Sequence, residues 1–251
     1  MSDDYAQLAP FYEALGMASF AETLTPQLIA YAQSNDWVGR RVVDLGCGTG
    51  ASVRWLANRG YNITGVDISP SMLKIAQQSI TNTGLSFQLY EGDIRAVGNL
   101  HDIDLIMALD VLNELNSLRD LEAVFTSVAK LLSPGKLFVF DLHTIEGMAR
   151  EDGHSDLVVD SDDLTLFLAH RFDYERQASS NDYTIFRRDG SNWQRVRTTR
   201  SLRGFPVQVV IALLQRTGFG IMSLLNVRLE TLDPAVMREP RVILFARRVQ
   251  D

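Results

Sequence analysis

The sequence predicts an α/β chain: a doubly wound, mostly parallel seven-stranded sheet of Rossmann-like type, with an antiparallel β insertion before the last helix. Three observations predict it. Apolar strand-like runs alternate with helical periods along most of the chain. A glycine-rich turn, VVDLGCGTG at 42–50, leads from the first strand into a helix. A long stretch between the fifth strand and residue 206 reads as short strands that a doubly wound core does not require.

The elements follow in order. Val42, Val43 and Leu45 are strand formers, and Gly46, Gly48 and Gly50 let the backbone pass close to a ligand without a Cβ in the way. The next helix, 51–59, has Val53, Leu56 and Ala57 as its apolar positions. A second strand at 62–66 ends in Asp67, and a helix at 71–80 turns Met72, Leu73, Ile75 and Ala76 inward. A third strand at 86–90 runs into Gly92, Asp93 and Ile94, and a fourth spans 103–108. A long helix at 118–132 and a fifth strand at 136–140 are separated by the turn at Pro134 and Gly135. A helix at 206–217 and strands at 221–229 and 241–249 close the chain. Between them lie strand-like runs at 164–174, 183–188 and 193–203, with turns expected at 179–182 and 189–192.

Spacing then points to a nucleoside. Asp67 lies about twenty residues beyond the glycine turn, where a carboxylate accepts hydrogen bonds from both hydroxyls of a ribose. Asp93 falls on the same sheet edge, near an adenine ring, and Asp44 stands at the tip of the first strand. Each also has a plainer reading. Asp44 can cap its turn, and Asp67 can cap the helix near Pro70, since Asp-x-Ser-Pro is a good helix start. Cys47 has no histidine nearby in sequence and reads as a small turn residue rather than a nucleophile.

Taken jointly, DLGCGTG at 44–50, GVDISPSML at 65–73, EGDIRAV at 91–97, ALDVLNEL at 108–115 and PGKLFVFDLHT at 134–144 resemble the class I S-adenosylmethionine-dependent methyltransferases. The resemblance implies a cofactor, S-adenosyl-L-methionine, with S-adenosyl-L-homocysteine as product. It implies that the turn packs against the methionine part, that Asp67 holds the ribose and that Asp93 approaches the adenine amino group. The expected cofactor set is Asp44, Gly46, Cys47, Gly48, Asp67, Ile68, Met72, Asp93, Ile94 and Leu109. A nicotinamide dinucleotide is not excluded by the glycines, because Ala51 satisfies the GxGxxA variant. The acidic rim weighs against it: S-adenosylmethionine has no pyrophosphate and carries a sulfonium and an ammonium that suit Asp44 and Asp93.

The resemblance also divides the chain into a core of 1–145 and 205–251 and a β-rich insertion of 146–204 that caps the substrate site or forms a homodimer interface. Within the core, residues 1–36 make a helical lid, whose YAQLAPFYEAL resembles the helix that closes over cofactor in this family. Methyl transfer demands alignment and exclusion of water more than covalent chemistry. That accounts for the lack of a nucleophile elbow or metal-ligand cluster, and no metal is expected. Tyr5, Tyr12, Asp110, Asn113, Glu114, Asp141, His143 and Thr144 are placed near the reacting centre, with His143, Asn113 and Tyr12 as catalytic candidates. His143 suits a general base, although a hydrogen-bonded structural histidine is its plainer reading. The run WQRVRTTRSLRGF at 193–205 has Arg197 and Arg200 where the family commonly has acids or histidine. Strand alternation puts Arg195, Arg197 and Thr199 on one side, and Arg197, Arg203 and Asp110 are the expected substrate contacts. The function expected is methylation of an oxygen or nitrogen of a small metabolite, for which the arginines suggest an anionic group. The alternative is a non-catalytic protein binding the cofactor or its product, as a sensor or accessory subunit.

Composition fits a compact enzyme. The 251 residues are 46% hydrophobic, sufficient for a substantial core. A net charge of −7 repels a nucleic acid backbone, so none is expected as partner, even though 187–203 carries six arginines and the acid Asp189. No apolar run approaches the roughly 20 residues that span a bilayer, and MSDDYAQLAP lacks the features of a signal peptide. A cytoplasmic protein acting on a small-molecule acceptor, with no membrane partner, is expected. The single cysteine cannot form an intrachain disulfide.

Overall fold

A computed structural model of the chain describes residues 5–81, 86–98, 100–233 and 238–249. The first four residues of the expected lid and the last two of the expected core lie outside the described residues. From the N-terminus the chain lays down α1 (Ser19–Ser34), β1 (Arg41–Leu45), α2 (Ala51–Asn58), β2 (Asn62–Asp67), α3 (Pro70–Thr81), β3 (Gln88–Glu91), β4 (Leu105–Ala108), α4 (Leu118–Leu131) and β5 (Leu137–His143). After α5 (Ile145–Arg150) come four strands, β6 (Ser155–Asp160), β7 (Leu164–Asp173), β8 (Ala178–Asp189) and β9 (Asn192–Arg203). The chain ends with α6 (Val207–Arg216), β10 (Phe219–Leu225) and β11 (Arg241–Arg248).

The main sheet runs in the order β10-β11-β5-β4-β1-β2-β3. β1 to β5 pair in parallel, while β11 is antiparallel to both β5 and β10, forming an edge hairpin with β10. β4 is buried at all its positions and β5 at all but His143, the continuous apolar character of strands covered on both faces. One face packs against α4 and α6 through Phe125, Phe138, Phe140 and Phe219; the Phe138 and Phe140 rings lie 4.8 Å apart. The other face holds Leu24, Leu28, Val53 and Leu56 of α1 and α2. Asp44 pairs with Gly65 and Met107, which sets the carboxyl ends of three neighbouring strands level on one rim. That rim is where open α/β sheets bind ligands.

The insertion forms its own antiparallel sheet, ordered β6-β7-β8-β9. Two of its features differ from expectation. α5 and β6 are additional elements: α5 is capped by Thr144, whose hydroxyl accepts from the Gly147 amide at 2.9 Å. The turn expected at 179–182 lies instead at 174–177, where the Asp173 carboxylate accepts from the amides of Glu175 and Arg176 at 3.0 Å each. Asn181 and Asp182, which look like turn residues, sit inside β8 and bond across strands to His170 and Thr199. β10 likewise ends earlier than expected, because Asn226 Oδ1 accepts from the amides of Arg228 and Glu230 and turns the chain.

The N-terminal segment departs most from its resemblance. Residues 5–16 are successive turns around a short 3-10 stretch at Ala9–Phe11 rather than an α-helix. Leu8 and Phe11 pack against Leu166, Tyr183 and Ile185, so the segment rests on the second sheet. No helix among the described residues is long and apolar enough to cross a membrane.

Gly65 shows how tightly the rim is built. A Cβ there would come within 2.8 Å of both Cys47 Sγ and Leu89 Cδ2. Gly65→Ala is therefore expected to cost about 1–3 kcal/mol of stability by overpacking. Urea denaturation checks this, and a loss below about 0.5 kcal/mol would show that the strands tolerate wider spacing.

Candidate functional site

The turn after β1 is held by backbone and by one side chain. Gly46 and Gly48 have φ of +72° and +53°, a region that costs a side-chain-bearing residue energy. The amides of Gly46 and Cys47 donate to Val66 O at 2.7 and 3.1 Å, and that of Gly48 donates to Asp67 Oδ2 at 2.8 Å. A Cβ on Gly46 would lie 2.5 Å from Val111, whereas Gly48 faces Tyr12 at 3.9 Å. Asp67 Oδ1 accepts from the Ser69 amide at 2.9 Å. Ser69 Oγ in turn accepts from Met72 N at 3.2 Å, so the residue that caps α3 is Ser69 and not Asp67.

A cavity of about 550 Å³ opens beside this turn. Of the residues expected to hold a cofactor, Gly46, Gly48, Asp67 and Ile68 line it, as do Met72, Asp93, Ile94 and Leu109. Ile68 is 47% exposed and lines the cavity together with Ile94 and Leu109. Asp44 and Cys47 are buried behind the turn and do not line the cavity. Asp93 is not a spare charge: Arg95 binds it at 2.6 Å through Nη2 and at 3.0 Å through Nε, and this contact holds its carboxyl below the usual carboxylate range.

The opposite wall comes from the N-terminal segment, the loop after β4 and β9. Tyr5, Tyr12, Asp110, Glu114 and Arg200 line it. Burial raises the Tyr5 and Tyr12 phenols above their ordinary range, so both remain hydrogen-bond donors at neutral pH. Asp110 has a φ of +57°, and its amide donates to Asp141 Oδ1 at 2.7 Å. Its carboxylate contacts Arg200 at 3.0 Å and is also bound by Arg241. Burial alone would raise the Asp110 pKa, but Arg200 and Arg241 together with His143 hold it well below the usual range. For Asp141, burial outweighs Arg241 and the pKa rises.

Four expected residues are placed elsewhere. Asn113 is fully engaged as a clamp: its Nδ2 donates to His143 O and Arg203 O at 3.1 and 2.8 Å, and its Oδ1 accepts from His143 N at 2.8 Å. His143 does not line the cavity; its Nε2 lies 3.1 Å from Asp110 Oδ1, with Arg241 reaching both groups. Arg197 and Arg203 stand on the exposed face of β9. The opposite alternation, Val196, Thr198, Arg200 and Leu202, faces inward. The apolar members Val196 and Leu202 were the signal that would have chosen Arg200, because they mark which parity is buried. Among the described residues no group of three or more His, Cys, Asp or Glu side chains is arranged to hold a metal ion.

Comparison with known proteins agrees with this geometry. Residues 42–135 match the methyltransferase domain family. The Bacillus subtilis protein YqeM, named as a methyltransferase, is 28% identical over 180 residues, 71% of this chain and 73% of its own. A S-adenosylmethionine-dependent methyltransferase from Clostridium acetobutylicum superposes with a TM-score of 0.84 at 22% identity, covering 98% of this chain and 99% of that one. An amino pentose methyltransferase of calicheamicin biosynthesis from Micromonospora echinaspora, solved with S-adenosylmethionine bound, has a TM-score of 0.72 at 18% identity, with 95% and 96% covered. Residues 42–135 thus form a methyltransferase domain, on a fold shared with S-adenosylmethionine-dependent methyltransferases.

Asp44 provides a test of the buried rim. Burial, reinforced by the charge of Asp67, pushes its pKa up to about 8. A carboxyl with a raised folded-state pKa costs stability progressively as pH rises from the unfolded value near 4 to about 8. Asp44→Asn removes that titration. The melting temperature of the variant should therefore gain on that of the wild type between pH 5 and pH 9, whereas a difference independent of pH would contradict an uncompensated buried carboxyl.

Proposed function

We propose that the enzyme transfers the methyl group of S-adenosylmethionine to an oxygen or nitrogen of a small polar metabolite held between the glycine-turn end of the cavity and the wall formed by Tyr5, Tyr12, Asp110, Glu114 and Arg200. The supporting observation is that one continuous cavity joins the two ends. The residues present fit an adenosyl cofactor: the Asp67 carboxylate stands at the tip of β2, the backbone is open above Gly48, and Ile68, Ile94 and Leu109 offer apolar faces for a purine. Met72 closes the same end, and Asp93 with Arg95 supplies polar partners at its rim. When bound, the cofactor supplies an already activated methyl group. The protein's part is to align the acceptor and exclude water, the work assigned here to Tyr12, Tyr5 and the covering segments. No general base is assigned, since His143 lies outside the cavity.

Charge in the acceptor end narrows the metabolite. Asp110 and Glu114 are matched by Arg200 in the wall and by Arg241 behind Asp110, so the wall carries no excess of positive charge. With Arg197 and Arg203 pointing away, this favours a neutral or amine-bearing acceptor over an anionic one. A methyltransferase of similar fold that acts on an amino pentose supports the same class. Under this reading residues 146–204 cap the acceptor, the remainder is the cofactor-binding core, nucleic acid is not a partner, and the enzyme works in the cytoplasm. A homodimer through the insertion has its contact candidates in the exposed Leu157, Phe167 and Trp193.

The test is a methyl-transfer screen with labelled S-adenosylmethionine over amines, polyhydroxylated compounds and carboxylates. Labelled amine or hydroxyl products are expected. Asp67→Ala should lower kcat/KM about 100-fold, corresponding to about 2.7 kcal/mol of lost hydrogen bonding, expressed in KM for the cofactor. Labelling of carboxylates alone would contradict the acceptor class, and unchanged kinetics in Asp67→Ala would contradict the cofactor assignment.

A further inference from the structure

Arg200 joins three segments that are distant in sequence. It projects inward from β9 with a side chain only 9% exposed. Its Nη2 donates to the Asp110 carbonyl at 2.7 Å and lies 3.0 Å from Asp110 Oδ2, while its Nε donates to Glu114 Oε1 at 2.8 Å. The same Glu114 oxygen accepts from the Tyr5 hydroxyl. One guanidinium thereby ties the insertion, the loop after β4 and the N-terminal segment together. Among the described residues, Arg200 makes the ion pairs that cross from the second sheet to the core; the other pairs made by β6 to β9 stay within that sheet and its turns.

The surrounding contacts give this tie its leverage. The base of the insertion is fixed separately, by Asn113 holding Arg203 O and by packing of Met148, Phe172 and Leu202. Its far part and the N-terminal segment adhere to each other through Leu8, Phe11, Leu166 and Ile185. Those two parts form one cover, resting on the core beside the cavity. Without Arg200, Glu114 loses its cation and Asp110 keeps only Arg241, so the closed arrangement is held as long as Arg200 stays in place. A planar fork that binds two carboxylates at once cannot be reproduced by an ammonium.

We propose that Arg200 is the positioning residue that seats the insertion and the N-terminal segment over the cavity and thereby sets the rate at which cofactor and product leave. The inference rests on the reading of that cavity as the cofactor and acceptor site. It goes beyond that reading by assigning closure to a side chain that touches neither the glycine turn nor Asp67.

Two measurements on the full chain test it. Hydrogen exchange is followed without ligand in wild type, Arg200→Gln, Arg200→Lys and the outward-facing control Arg195→Gln. In Arg200→Gln, exchange across 5–17 and 192–203 should rise at least tenfold while β1, β4 and β5 keep their protection, which also shows that the variant is folded; Arg200→Lys should fall between, and the control should match wild type. The second measurement is stopped-flow dissociation of S-adenosylhomocysteine, expected to be at least tenfold faster in Arg200→Gln. Adding Glu114→Gln to Arg200→Gln should produce little further change, since both remove one interaction. Unchanged exchange in the cover, or unchanged dissociation despite a lowered melting temperature, would overturn the proposal and leave Arg200 an ordinary structural residue. If wild type fails to bind S-adenosylhomocysteine, the cofactor reading fails on its own, and exchange still decides whether Arg200 seats the cover.

Discussion

The Asp67 carboxylate holds the site together by accepting two backbone amides from different segments, that of Gly48 in the turn after β1 and that of Ser69 at the head of α3. Charge-assisted hydrogen bonds of this kind are the strong ones, and these two fix the turn relative to the strand that carries the acid. The left-handed glycines permit the turn, and Val66 O takes two more of its amides. With the turn pinned, the cavity floor is backbone, the apolar side chains of Ile68, Ile94 and Leu109 stand around it, and a ligand meets few side chains that must first be ordered. Preorganisation of this kind is what methyl transfer asks of a protein, because the electrophile arrives already activated.

The electrostatics follow from the same rim. Parallel strands that end level bring carboxylates close together: Asp44 and Asp67 at the tips of β1 and β2, and Asp110 and Asp141 after β4 and at β5. The protein treats Asp110 and Asp44 differently. Asp110 is flanked by Arg200 and Arg241 and stays ionised, whereas Asp44 has no cation among the causes of its shift and is driven toward its neutral form. Arg241 comes from the edge hairpin, where it pairs opposite His143 in the β5–β11 register, and its guanidinium lies 3.6 Å over the Phe20 ring. The antiparallel hairpin therefore does more than close the sheet; it delivers a cation to Asp110 behind the cavity wall.

Much of this was legible in the sequence where local chemistry determines structure. The glycine turn, the acids that follow β2 and β3, and the alternation of strands and helices in the core are short-range patterns, and the structure places eight of the ten expected cofactor residues around one cavity. What escaped the sequence depends on long-range contact. Asn181 and Asp182 have turn chemistry but are held in β8 by partners on β7 and β9. Asn113 looks like a polar group awaiting a substrate until its three bonds to the backbones of residues 143 and 203 are seen. Arg197 and Arg203 face outward and Arg200 inward, which a strand of alternating polar residues does not announce; only Val196 and Leu202 mark the buried parity. By residue type His143 suggests a general base, while its position beside Arg241 is a consequence of strand pairing.

A co-crystal structure with S-adenosylhomocysteine tests the central claim most directly. Both ribose hydroxyls should lie on the Asp67 carboxylate, the homocysteine part along Gly46 to Gly48 and the purine against Ile68 and Ile94. A ligand seated elsewhere on the sheet, or a ribose bound by groups other than Asp67, would contradict it.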